Sequence, residues 1–217
     1  MEHEFWHERW AKTEIGFHEG TVNQFLHDHW PTLAGNSTDA VFVPLCGKAH
    51  DMWWLSDRGH PIIGVELSEI ACKDFFEEAG EKAKVHPGEP FTKFAHDDLE
   101  LWCGDFFQLV PDDLKHVRLV YDRAALIALP PTMRKQYVDH LTAVIPDGTK
   151  ILLVTLDYKT RITAPPFNVS DEEVMELYGE DYDIEHIVTN TIENDHLFAK
   201  RRGLIGGTES VFRLVKR

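Results

Sequence analysis

Between residues 39 and 157 one texture recurs: a short β-branched apolar run, a turn, then an amphipathic stretch. That alternation predicts βαβ units, whose strands lie parallel because each return to the sheet crosses one of its faces as a helix. Ala40-Val41-Phe42-Val43-Pro44-Leu45 is the first strand, and Ala49 to Arg58 the helix after it, closed by Gly59. Pro61 to Leu67 is the second strand, after which Ser68 caps a helix that turns Ile70, Ala71, Phe75 and Phe76 inward. Further strands are expected near Leu99 to Trp102, at Val117 to Tyr121 and at Lys150 to Leu156, with a helix from Met133 to Ile145. Ser170-Asp171-Glu172-Glu173 opens another helix, and two alternating runs, Ile184 to Ile192 and Val211 to Val215, read as an antiparallel pair closing the sheet.

The expected fold class is therefore α/β, a mostly parallel seven-stranded sheet with an antiparallel C-terminal strand. Pro87 to Asp98 reads as an excursion outside it. Residues 1–38 stand apart from the alternation and hold three of the six tryptophans, so they are expected to form a helical cap on a Rossmann-like core of residues 39–217, in a single domain.

Charge removes several function classes. With 22 Lys+Arg against 37 Asp+Glu the net charge is −15, opposite to what neutralising phosphates requires, so no nucleic-acid partner is expected. No run approaches about 18 apolar residues, and the acidic opening Met1-Glu2-His3-Glu4 is unlike a secretory leader. A cytoplasmic monomer with no membrane partner is expected. Three cysteines, Cys46, Cys72 and Cys103, without a C-x-x-C pair disfavour a disulfide framework and a structural zinc site.

Open parallel sheets bind ligands beyond the carboxyl ends of their strands, where strand order reverses. After the first strand comes Leu45-Cys46-Gly47-Lys48, with one glycine where dinucleotide sites use three, and with Ala49 where a P-loop needs Ser or Thr. A cofactor without phosphates fits such a loop, because it needs only one close backbone approach. Glu66 ends the second strand about twenty residues later, the place for a carboxylate that accepts ribose hydroxyls; a solvated strand-end acid is the other reading. Asp105-Phe106 offers a carboxylate for an exocyclic amine and a ring for stacking, or simply a helix cap followed by a core phenylalanine. Asp122-Arg123 ends the fourth expected strand; the pair faces the ligand crevice, or its members pair with each other.

Trp6-His7-x-x-Trp10, Ile15-Gly16-Phe17-His18-Glu19, Val43 to Lys48, Gly64-Val65-Glu66-Leu67-Ser68, Tyr121-Asp122-Arg123-Ala124-Ala125 and Ala164-Pro165-Pro166-Phe167 stand in one order along nearly the whole chain. In that combination the sequence resembles the bacterial branch of the thiopurine S-methyltransferase family. The resemblance implies a class I methyltransferase fold using S-adenosylmethionine, with S-adenosylhomocysteine as product. It places cofactor contacts on Trp10, Leu45, Glu66, Asp105, Phe106 and Arg123, and an acceptor-side aromatic on Phe17. Gly104-Asp105-Phe106 departs from the small polar residue of animal members. An acceptor-side arginine of the family has its nearest candidates in Lys200, Arg201 and Arg202, which are left outside the site.

The implied acceptor is a small-molecule thiol, aromatic or heterocyclic as in thiopurines, or a selenium or tellurium compound. A thiol of low pKa is already largely an anion near neutral pH, so the protein's main task is alignment in a desolvated pocket. Arg123 is the candidate catalytic residue, favouring the thiolate directly or through water; its other reading is a residue that only holds cofactor and cap. Rival readings are a methyltransferase of the same scaffold acting on halide, thiocyanate or metalloid acceptors, and a regulator that binds an S-adenosyl ligand without turnover. His3-Glu4-Phe5-Trp6-His7 also fits the zinc motif H-E-x-x-H, but its place at a fraying end and the lack of a third ligand favour an amphipathic helix, and no metal is expected.

Overall fold

The computed structural model describes residues 3–14, 20–159, 164–192 and 206–217. Two helices come first, α1 (His3–Ala11) and α2 (Gln24–Ala34). The alternating part follows as β1 (Ala40–Val43), α3 (Asp51–Ser56), β2 (Ile62–Glu66), α4 (Glu69–Glu78), β3 (Lys84–His86), β4 (Thr92–His96) and β5 (Leu99–Cys103). The rest is β6 (Val117–Arg123), α5 (Pro131–Val144), β7 (Lys150–Asp157), α6 (Asp171–Tyr178), β8 (Tyr182–Thr191) and β9 (Thr208–Lys216).

All strands join one sheet in the order β3-β4-β5-β2-β1-β6-β7-β9-β8. The five central strands, β5 to β7, are parallel, and antiparallel pairs extend both edges. The expected α/β architecture is thus observed, with nine strands where seven are expected. The two extra strands lie in the Lys84 to His96 stretch. Phe94 lies opposite Leu101 in the β4–β5 register and is only 2% exposed, so one inward aromatic anchors the excursion to the sheet edge.

The two faces carry separate cores. Val41, Val43, Leu119 and Tyr121 meet α2, α3 and α4, while Phe42, Val120 and Leu153 meet α5 and α6. Ser68 caps α4 as expected, its hydroxyl accepting from the Ala71 N–H, and Ala71, Phe75 and Phe76 point inward. Ile70 does not. It is 43% exposed, because the buried stripe is Ala71, Cys72, Phe75 and Phe76 and a helix turns about 100° between Ile70 and that stripe's first member.

Strand order reverses between β1 and β6: from β1 the chain moves to β2 and on to β5, then returns to β1's other side as β6. A crevice therefore opens over the carboxyl ends of β1, β2, β5 and β6.

Candidate active site

A cavity of about 230 Å³ lies at that reversal. Its floor is made by the strand ends. Leu45, just past β1, has a positive φ of 45°, and Gly47 follows at 54°. The first is a strained conformation for a branched side chain, of the kind that collects at binding sites. At Gly47 a Cβ would meet the Trp10 indole at 3.4 Å, so glycine suits both the turn and the helix lying over it.

Glu66 is buried at the end of β2 and accepts the Gly47 N–H at 2.9 Å and the Ser68 N–H at 2.8 Å, one on each oxygen. Burial raises its pKa above the usual carboxylate value, and the amide bonds oppose that rise. It is not a solvated strand end. Lys48 follows the loop and is buried too; its Nζ lies 2.6 Å from Glu78, 3.4 Å from Asp74 and 6.0 Å from the centre of the Trp10 ring.

Past β5, Asp105 caps a short 3-10 turn, its Oδ1 accepting the Phe107 N–H at 3.0 Å, and its Oδ2 lies 3.3 Å from His3 Nε2. Cap and lining coincide here: Asp105 and Phe106 both border the cavity. The Phe106 ring itself is 4% exposed and packs against Tyr137 and His140 at 4.9 and 5.1 Å between ring centres. The core reading thus describes its ring, although the residue also lines the cavity.

Asp122 and Arg123 part company. Successive residues of a strand point to opposite faces, so Asp122 is buried on the α5 side, where its Oδ2 accepts the Tyr137 hydroxyl at 2.6 Å. Burial pushes its pKa up to about 6. It neither faces the crevice nor pairs with Arg123, as the sequence had suggested. Arg123 lines the cavity, and its Nη1 lies 3.5 Å from Oδ2 of Asp51 on the other face.

The roof is α1, which contributes His3, Trp6 and Trp10, the last only 5% exposed. Of the H-E-x-x-H residues, His3 is thus engaged with Asp105, and no cluster of three potential metal ligands occurs among the described residues. The cavity brings together Trp10, Leu45, Glu66, Asp105, Phe106 and Arg123. Phe17 and the Lys200, Arg201, Arg202 cluster lie outside the described residues. Pro165 and Pro166 from the last quoted motif also border it.

Among the residues not foreseen are Phe107, Met133 and Gln136 in the lining and Asp51 behind it. Met133 and Gln136 stand at i and i+3 on α5, a spacing that marks a shared face without saying what the face looks at. Asp51 carries the ordinary mark of an acid in a helix's first turn. All three cysteines are free thiols, and burial pushes Cys46 well above the usual thiol value.

The model of the thiopurine S-methyltransferase family matches residues 1–217. A thiopurine S-methyltransferase of Marinobacter nauticus is 77% identical over 219 residues, covering all of both chains. One from Pseudomonas fluorescens is 43% identical over 215 residues and 99% of each chain. Among solved structures, the 1,6-didemethyltoxoflavin-N1-methyltransferase of Burkholderia thailandensis, bound to its substrate and S-adenosylhomocysteine, superposes with a TM-score of 0.66 at 11% identity, over 99% of this chain and 87% of that one. The magnesium protoporphyrin IX methyltransferase of Synechocystis PCC 6803, also holding S-adenosylhomocysteine, gives 0.66 at 14% identity over all of both chains. At such identities these likenesses speak for the fold alone.

Proposed function

The chain belongs to the thiopurine S-methyltransferase family, and from that premise we propose that it methylates the sulfur of small aromatic and heterocyclic thiols, thiopurines among them, with S-adenosylmethionine as donor. The observation that carries the reading is the meeting of Trp10, Leu45, Glu66, Asp105, Phe106 and Arg123 on one cavity at the strand-order reversal. When bound, the donor supplies a methyl group activated by a sulfonium.

The residues present fit it. A carboxylate has about four lone-pair sites, and the Gly47, Ser68 and Leu67 amides do not fill all of Glu66's, which leaves acceptor capacity for a ribose hydroxyl. Asp105 sits where an exocyclic amine would be read, with Phe106 and Phe107 as apolar walls. The loop after β1 offers no pyrophosphate cradle, in keeping with a donor that carries no phosphate. Trp10 closes the roof and excludes water from the reacting atoms. Arg123 favours the thiolate form of the acceptor and so carries the catalytic role, and Phe17 is the acceptor-side aromatic. No general base is needed for an acceptor that arrives ionised.

The same reading makes the protein a cytoplasmic monomer without a nucleic-acid partner, built as one methyltransferase domain with residues 1–38 as cap and 39–217 as core. Free thiols suit a reducing compartment, and the net charge of −15 repels phosphate backbones. Among the described residues no helix is long and apolar enough to cross a membrane.

The test is a methyl-transfer assay with purified protein against 6-mercaptopurine, an aromatic thiol, selenite and tellurite in parallel. Transfer to the two thiols is expected; transfer to neither would overturn the reading, and transfer to the metalloids alone would move it to the rival acceptor class. Calorimetry of Glu66→Gln with S-adenosylhomocysteine should show binding weakened by about 1–3 kcal/mol, the scale of a lost charge-assisted hydrogen bond. Unchanged affinity would remove Glu66 from the site.

A further inference from the structure

Arg123 is not aimed by its neighbour in sequence, since Asp122 points to the opposite face. On Arg123's own face of β6 stands Tyr121, and both side chains meet Asp51, the first residue of α3. The Asp51 carboxylate is 2% exposed, and donors reach it from the N-terminal segment, from Tyr121 and from Arg123. Its Oδ1 accepts the backbone N–H of Asn23 at 2.8 Å; its Oδ2 accepts the Tyr121 hydroxyl at 3.1 Å and faces Arg123 Nη1 at 3.5 Å.

The three contacts are unequal, and the inequality is informative. The shorter two come from neutral groups held by other elements: Asn23 also caps α2 through its side chain, and Tyr121 is buried within β6. These fix the carboxylate. The contact from Arg123 Nη1, at 3.5 Å, lies at the outer edge of hydrogen-bond range, where the fixed anion acts on the guanidinium chiefly by charge. Placing a carboxylate out of water is costly unless it is well paired, and one of the groups that Asp51 faces is a cation bordering the cavity.

We propose that Asp51 is a positioning residue for methyl transfer: it sets the direction of the Arg123 guanidinium at the cavity wall and ties that direction to the chain entering α2. This rests on the role given to Arg123 above. Nothing in it requires Asp51 to touch donor or acceptor. The same carboxylate therefore joins three pieces, the N-terminal segment through Asn23, the strand through Tyr121 and the cavity through Arg123.

A double-mutant cycle tests it, with Asp51→Asn, Arg123→Ala and the pair, read by kcat for an aromatic thiol, by KM for the methyl donor and by calorimetric binding of S-adenosylhomocysteine. Asp51→Asn keeps the shape and removes the charge. It is expected to lower kcat roughly five- to twentyfold, with donor KM and S-adenosylhomocysteine affinity held within about twofold, and to cost nothing further once Arg123 is alanine. An equal loss in both backgrounds, or no loss in the first, overturns the proposal while leaving Arg123's role intact. If Arg123→Ala itself keeps full kcat, the role of Arg123 falls and Asp51 has nothing to position. Should Asp51→Asn fail to fold, Tyr121→Phe deletes only one hydroxyl that fixes the carboxylate. It should show a smaller loss of kcat that likewise vanishes with Arg123→Ala, and a loss that persists there counts against the proposal.

Discussion

The two N-terminal helices are neighbours in sequence and opposite in what holds them. α2 is capped by Asn23, buries Phe25, Leu26, Trp30, Leu33 and Ala34, and packs on the sheet against β7. Trp30 is 1% exposed and donates its indole N–H to His60 at 3.2 Å. α1 buries Trp10 alone, and what lies beneath it is the cavity. Within the N-terminal segment, α2 packs on the sheet, whereas α1 touches α4 and residues that border the cavity, from His3 to Asp105 and from Trp10 to Gly47 and Lys48. The lesson is that a helix that buries little apolar area of its own depends on the residues it lies against.

Three substitutions would break or sharpen that division. The largest effect is expected of Trp30→Ala, a truncation in a sealed core that should cost about 3–5 kcal/mol in urea unfolding, with S-adenosylhomocysteine affinity of the folded fraction unchanged. A mild loss there would mean that α2 is as peripheral as α1. Next comes Asp122, which should behave like α2, as fold without site. Its pKa is raised from 3.8 to about 6, so between those values the native state holds more protons than the unfolded one and stability falls as pH rises. Asp122→Asn should remove that slope, gaining up to about 3 kcal/mol relative to the parent between pH 4 and pH 7; parallel stability curves would show that the carboxyl titrates normally. The smallest is Trp10→Ala. It should weaken S-adenosylhomocysteine binding by about 1–2 kcal/mol through lost apolar contact and speed hydrogen exchange in α1, while the urea midpoint stays near that of the parent. A midpoint shift as large as that of Trp30→Ala would erase the distinction between the helices.

What the sequence disclosed and what it withheld follow from the range of the signals. Strand ends were legible because apolar runs stop at turn residues, and the reversal rule then picks out Leu45, Glu66, Asp105 and Arg123 without knowledge of any contact. The quoted motifs reached further, to Trp10, because they carry tertiary information that periodicity lacks. The opposite facing of Asp122 and Arg123 was present in the two-residue period of a strand; but β6 is buried on both faces, so apolar pattern alone did not say which residue met the cavity. Ile70 was misplaced by one step of helical phase. Asp51 is invisible in the sequence because partners such as Asn23, Tyr121 and Arg123 are distant along the chain and joined only by folding. The β3–β4 hairpin was missed because turn residues and charges surround Phe94, its one deeply buried member.

The sheet order has a consequence for synthesis. β9 lies between β7 and β8, with antiparallel ladders to both, yet it is the last of these strands to leave the ribosome. Until Thr208 to Lys216 emerges, β7 has an open edge beside buried apolar side chains, and β8 has no strand to pair with at all. The nascent chain therefore waits, holding two unpaired edges, for a segment that closes both at once. Chains stalled before Thr208 should be cut readily by protease on the ribosome and become resistant once Lys216 has cleared the tunnel. Early resistance would show instead that the parallel strands and their helices fold as a unit before the sheet is complete.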